Sequence, residues 1–142
     1  MSNVQVRFAK CCNPVPGDQI IGFITNFRGI SIHRSDCANI DAIKNDKTHR
    51  IVEVSWEKES QELYSARVQI HALDRPNLVS DIIALINELK IPLNAMNVET
   101  RKDASVMIHL SLLIRDINLL EECLKRLRKL SSVVDAFRIG NV

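Results

Sequence analysis

Four side chains in this sequence have the types and spacing for metal chemistry: Cys11, Cys12, His33 and Cys37. Thiolate sulfur and imidazole nitrogen are donors that a tetrahedral zinc ion prefers. The four-residue step from His33 to Cys37 is one that zinc sites use. Two features oppose that reading. Neighbouring residues in an extended chain point to opposite sides, so Cys11 and Cys12 share an ion only if the backbone turns between them. The separated C-x-x-C pairs of a strong zinc signature are also missing. In the competing reading one cysteine of the pair packs as a small apolar side chain and the other borders the loop. A cysteine nucleophile with His33 as base and Asp36 as orienting group would need an oxyanion hole and a cleft, and nothing in the sequence marks either.

Two further groupings are candidates for binding. Arg28 stands beside Phe27 at the expected tip of a hairpin. With Lys10, His33 and Arg34 it makes a small surface on which guanidinium and ring stack on splayed RNA bases or pair with phosphates. Asp74-Arg75-Pro76-Asn77-Leu78 precedes an apolar-periodic run, and the free amides at such a helix start suit a carboxylate. The basic run Lys125, Arg126, Arg128 and Lys129 falls at the end of another expected helix, where it complements the helix dipole.

Composition bounds these possibilities. The chain of 142 residues is 46% hydrophobic and 25% charged, which excludes disordered and collagen-like architectures. A net charge of +2 excludes strong bulk attraction to nucleic acid and leaves room for a local patch. No apolar run approaches the ~20 residues that span a bilayer, and Arg7 and Lys10 interrupt any secretory-signal core. The sequence therefore reads as cytoplasmic, with no membrane partner. Four cysteines are too few for a disulfide scaffold and are expected as thiols or metal ligands.

Periodicity predicts the elements that position these groups. Val4, Val6 and Phe8 alternate with polar residues, giving a strand over about Val4 to Ala9. Asn13-Pro14-Val15-Pro16-Gly17-Asp18 stops it, because proline lacks an amide donor and Gly17 permits a positive φ. Ile20 to Phe27 and Gly29 to His33 predict antiparallel strands joined by a turn at Asn26 to Gly29. Ser35 or Asp36 is the expected cap of a short helix through Ile40 and Ile43, and Val52, Val54 and Trp56 predict a last strand. The polar stretch from Glu57 to Glu62 marks a domain boundary, dividing the chain into residues 1–60 and 61–142.

Beyond the boundary the pattern is more regular. Tyr64 to His71 is a strand, and Asp74-Arg75 opens a helix with Pro76 at its first position and Leu78, Ile82, Ile83, Ile86 and Leu89 on one face. Leu93 to Thr100, the turn Arg101 to Asp103 and Val106 to Ile114 predict a hairpin. Asp116 caps a second helix that buries Leu120, Cys123, Leu124 and Leu127, and Val133 to Ile139 is the final strand. The order β-α-β-β-α-β is the ferredoxin-like split unit. The fold class is thus α+β: a small mixed β-hairpin and helix domain followed by a ferredoxin-like domain, whose open sheet face and edges call for a covering partner.

The segment K-C-C-N-P-V-P-G-D-Q-I-I-G-F-I-T, with R-G-I-S-I-H-R-S-D-C-A-N after it, resembles the region near the C-terminus of long RelA/SpoT-type (p)ppGpp synthetase/hydrolases. There the segment is a zinc-finger-like, or ribosome-inter-subunit, domain, followed by an ACT domain with the β-α-β-β-α-β order. The resemblance implies a regulatory region of a GTP pyrophosphokinase in the stringent response, with no catalytic residues of its own. Met1-Ser2-Asn3 reads as the start of a piece of a longer protein. Implied partners are ribosomal RNA near the A site, uncharged tRNA and the parent's N-terminal catalytic domains. The family's cysteine pair falls on Cys11 and Cys12, and its H-R-x-D-C element on His33, Arg34, Asp36 and Cys37. ACT domains often bind an amino acid at a D-x-x-G loop, here Asp74 to Asn77. In a side-by-side homodimer, the Asp74 to Leu78 loop of one copy faces Asn94 and Met96 of the other. An amino-acid sensor or a dimerisation module with a structural zinc site is therefore the alternative function.

Overall fold

The computed structural model describes residues 6–25, 29–46, 49–56 and 62–140. The expected turn at 26–28, and Arg28 with it, lies outside the described residues, as does the boundary segment 57–61. In the first half, β1 (Val6–Phe8), β2 (Ile20–Thr25), β3 (Gly29–Arg34), α1 (Ile40–Lys44) and β4 (His49–Val52) form a sheet of order β1-β3-β2-β4 with one short helix. β1 pairs parallel to β3, and the other pairings are antiparallel. In the second half, β5 (Tyr64–Leu73), α2 (Leu78–Glu88), β6 (Leu93–Thr100), β7 (Ser105–Ile114), α3 (Ile117–Arg128) and β8 (Val133–Ile139) give an antiparallel sheet of order β6-β7-β5-β8. The α+β class and the ferredoxin-like order are as the periodicity predicts. Among the described residues no helix is long and apolar enough to cross a membrane.

Three boundaries differ from expectation, each for a packing reason. The short helix starts at Ile40 after Asn39, because Ser35 and Asp36 are used in a turn in which the Cys37 N–H donates to the Arg34 carbonyl at 3.0 Å. β4 ends at Val52, where the expected strand was to begin. Val52 lies opposite Gly22, and the Val52 and Val54 methyls occupy the space where a Gly22 Cβ would stand, 2.9 and 2.8 Å away. The chain then leaves the sheet, and Trp56 turns inward so that its Nε1–H donates to the Asp18 carbonyl at 3.0 Å. α2 begins at Leu78, after Pro76, because Asn77 sits in the left-handed region at φ 66° and a right-handed helix can only start beyond it.

The core belongs mostly to the second half, where Ala66, Val68, Ile70 and Ala72 of β5 and alternate residues of β7 meet Ile82, Ile86, Leu120, Cys123 and Leu127 of the helices. One residue of the first half joins it: Val15, fully buried in the proline loop. A seam surrounds that insertion. Asp18, 9% exposed, forms a two-pronged ion pair with Arg138 of β8, 10% exposed, at 2.9 and 2.8 Å. The same guanidinium donates to the Asn13 carbonyl at 2.6 Å, and Asp18 also accepts from the Val15 N–H at 2.8 Å. The Ile117 N–H, an orphan donor at the start of α3, is satisfied by the Pro16 carbonyl at 2.7 Å. Gly17, at φ 103°, lies so near Ile117 that a Cβ there would collide with the isoleucine. Phe8, Trp56 and Tyr64 close the seam, with ring centroids 5.2 to 5.5 Å apart.

Removing one partner of a buried ion pair costs about 3–5 kcal/mol because the other charge is left uncompensated. Arg138→Ala is expected to lower stability by that order in urea unfolding. In the parent chain, Trp56 fluorescence and helical circular dichroism should change in one coincident transition. Two separated transitions would contradict a seam that makes one body of the halves.

Candidate metal centre

The backbone does turn between the two cysteines. The Asn13 N–H donates to the Ala9 carbonyl at 2.9 Å and Asn13 takes a left-handed φ of 45°, so residues 9–13 form a tight knuckle. The structural objection to a shared ion is thereby removed. The donor atoms of Cys11, Cys12, His33 and Cys37 all lie within 4.8 Å of one another. Cys11 Sγ is 3.4 Å from His33 Nδ1, 3.4 Å from Cys37 Sγ and 3.9 Å from Cys12 Sγ, while Cys12 Sγ is 3.8 Å from His33 Nδ1. A tetrahedron with bonds of about 2.3 Å to sulfur and about 2.0 Å to nitrogen has edges of about 3.8 Å and about 3.5 Å. These four separations lie within about 0.4 Å of those edges.

Two of the donors, His33 and Cys12, are held from behind. His33 follows the buried Ile32 and breaks the in-out alternation of β3, with Phe23 edge-on to its ring at 5.6 Å. Its Nε2 stands 3.1 Å from Ser31 Oγ, a partner that leaves Nδ1 facing the sulfurs. Cys12 Sγ accepts the Arg34 N–H at 3.3 Å. Burial raises the Cys11 pKa above the ordinary thiol value and pushes Cys12 up to about 12. Without an ion Cys11 and Cys12 are therefore thiols, and a bound cation must displace their protons. Cys123 lies apart in the ferredoxin-like core, its pKa pushed up to about 11 by burial.

The other expected site residues fall elsewhere. His33 is only 6% exposed and faces the sulfurs, which removes it from a surface that nucleic acid could touch. Lys10 is exposed, and Arg34 is partly exposed with its guanidinium paired to Asp36 at 2.7 Å. Arg75 is committed to the Ser131 carbonyl at 2.8 Å and to Asp81 at 2.9 Å, and Leu78 is core. Asp74 N–H donates to the Ala104 carbonyl, Pro76 and Asn77 are exposed, and Asn77 carries the left-handed turn. Asn94 and Met96 sit at the far end of the sheet: Met96 is level with Leu110 and Val68, whereas the Asp74 loop follows Leu73. Within one copy the two groups are thus about 16 Å apart along the strands.

Sequence reasoning missed Asp18, Arg138, Ser31 and Gly140. A Cβ at Gly140 would strike the Cys11 carbonyl, so the backbone after β8 lies directly beneath the knuckle. The only local sign was an acidic residue directly after the proline loop; its partner across the seam leaves no trace in spacing.

Residues 1–57 match the family described as the RelA/SpoT RIS domain, and residues 60–138 match the ACT domain. The chain is 34% identical over 139 residues to a GTP pyrophosphokinase of Streptomyces coelicolor and 34% identical over 142 residues to one of Escherichia coli, covering 98% of this chain in each case. It is 33% identical over 136 residues to the bifunctional (p)ppGpp synthase/hydrolase RelA of Mycobacterium tuberculosis, covering 96% of this chain. The chain spans only 16 to 19% of the length of these relatives. The ACT domain from a GTP pyrophosphokinase of Chlorobium tepidum superposes with a TM-score of 0.50 at 18% identity, over 54% of this chain and 99% of that one, a likeness of fold.

The thiols should react in an order set by their surroundings. In metal-free protein at pH 8, a disulfide reagent is expected to modify the half-buried Cys11 and Cys37 first. Cys12 and Cys123 should lag by orders of magnitude, because at pKa values of about 12 and about 11 little thiolate is present. Their rates should rise about tenfold per pH unit below those values. Modification traced by peptide mass checks this, and a fast Cys12 would contradict the buried placement.

Proposed function

This chain belongs to the RelA/SpoT family as a joined RIS and ACT region that leaves no segment for a catalytic domain, and we propose that it is the regulatory part of a (p)ppGpp synthetase/hydrolase. In this reading the RIS half docks on structured RNA of the ribosome. The seam to the ACT half transmits that docking to the parent's catalytic domains as uncharged tRNA is sensed. The observation that carries it is the buried Asp18–Arg138 pair with Val15 inserted behind it, since a docking force on one half cannot be absorbed by a loose linker. Lys10, exposed, and Arg34, partly exposed, lie on the RIS surface, which also carries the exposed Arg7, Lys44 and Arg50, and the sequence adds Arg28.

Cys11, Cys12, His33 and Cys37 fit zinc and would hold one ion. The ion would supply a structural crosslink between the knuckle that precedes β2 and the turn that follows β3. Those are the segments that carry Lys10 and Arg34. Protein purified without chelator is expected to carry about one zinc per chain. Cys12→Ser with His33→Ala should abolish that content and lower the melting temperature, and metal-free protein would refute the zinc assignment.

Ribosome binding measured across salt concentrations tests the docking. Lys10→Glu and Arg34→Glu are each expected to weaken it and to reduce the salt slope by about one where a phosphate contact is lost. Unchanged affinity in both would remove these residues from the surface.

For the ACT half, the exposed edge strand β6 supports pairing with a second copy. An antiparallel pair of β6 strands brings the Asn94 and Met96 end of one copy toward the Asp74 to Leu78 end of the other. An amino acid would meet the α2 amides there, beside a left-handed Asn77 whose side chain takes room that glycine would leave. Docking is therefore the main role in this reading. Micromolar binding of any common amino acid by calorimetry, lost in Asp74→Ala, would make the half a sensor instead.

A further inference from the structure

We propose that Cys11 and Cys37 form a thiol switch, which a hydroperoxide closes into a disulfide with release of the ion held by the cluster. The disulfide step stands on the geometry of the thiols, and the ion release rests on the zinc reading above.

Three observations select this pair. Cys11 Sγ and Cys37 Sγ are only 3.4 Å apart, whereas Cys11 and Cys12 Sγ are 3.9 Å apart. The bond requires the sulfurs to approach by about 1.4 Å to reach about 2.05 Å. Both residues lie in turns rather than in the hydrogen-bonded sheet, Cys11 in the knuckle and Cys37 in the turn after β3, so that approach breaks no ladder. Both are half-buried and open to a small oxidant, while Cys12 is 4% exposed and held by the Arg34 N–H. A Cys11–Cys12 bond would instead close the strained ring between adjacent residues.

The chemistry balances with hydrogen peroxide as the oxidant. Cys11 sulfur attacks one peroxide oxygen, the O–O bond breaks, and the leaving hydroxide takes a proton to become water. Cys37 sulfur then attacks the resulting sulfenic acid and displaces the second oxygen as water. The cysteine pair loses two electrons and the peroxide gains them. If both sulfurs start as metal-bound thiolates, the two protons come from solvent. Oxidation leaves only Cys12 and His33 as donors, two fewer than a closed tetrahedral site requires. The crosslink still joins the knuckle to the turn, so the cluster exchanges one fastening for another.

The test treats the full chain, metal-loaded and metal-stripped in parallel, with hydrogen peroxide. Intact mass, disulfide peptide mapping and released zinc are read together. The expected result is a loss of two hydrogens, a single Cys11–Cys37 linked peptide and one zinc released per disulfide, all reversed by dithiothreitol and zinc. Cys123→Ser should behave as the parent, and Cys37→Ser should not form the bond. A Cys11–Cys12 link, oxidation to sulfinic acid without a link, or full zinc retention after the bond has formed would overturn the inference. A chain that never carried zinc defeats the metal reading, and the stripped arm then decides the disulfide by itself.

Discussion

The carboxylate of Asp18 is buried at the junction of two sheets, and the structure is arranged around neutralising it. Its two oxygens take the Arg138 guanidinium and the Val15 N–H, and its backbone carbonyl takes the Trp56 indole. A charge so enclosed is tolerable only when fully paired. The proline loop, β8 and the end of the first half must therefore all be in place together. Pro14 and Pro16 limit the loop's unfolded freedom, which lowers the entropy lost in placing Asp18 there. The pair does less to raise stability than to specify one docking geometry, since an apolar pair could bury as well without fixing the angle.

The knuckle and the seam share atoms. Asn13, which closes the turn that brings Cys11 and Cys12 to one side, offers its carbonyl to Arg138. The Cys11 carbonyl rests on Gly140, close behind the same arginine in the chain. Ordering the sulfurs thus orders the ground on which β8 ends, and the reverse. Burial favours neutral Cys11 and Cys12 in the absence of a cation, whereas a bound cation favours thiolates, so the site's protonation and its metal occupancy are coupled.

Much of this was legible in the residues. The ferredoxin-like half was read almost element by element, because Val68, Ile70, Ile108 and Leu110 alternate strictly and Asp116 caps its helix, its Oδ1 accepting from Leu119 N–H at 2.9 Å. The zinc-type residues were visible as types, but their convergence was not. It depends on a left-handed Asn13 and a turn ahead of α1, both of them local backbone choices that period-2 and period-3.6 patterns do not encode. β4 was misplaced because Val54 and Trp56 alternate like a strand while serving as cover for Gly22 and Asp18. The seam was invisible for a plainer reason: Arg138 sits in a strand among other half-buried residues, and nothing in a single sequence marks which arginine reaches back across the chain.

That reach has a cost in time. Asp18 and Arg138 are 120 residues apart. At a synthesis rate of about 5–20 residues per second, about 6–24 s separate the emergence of the two partners. For that interval the Asp18 carboxylate of the proline loop has no cation partner, Val15 has no core to enter, and the cysteine knuckle has no backbone beneath it. The first sheet can pair locally, but its final placement is a late event of high contact order. A nascent chain therefore exposes three thiols before it can fasten them, and access to soft metal ions during synthesis becomes part of how this region reaches its native shape.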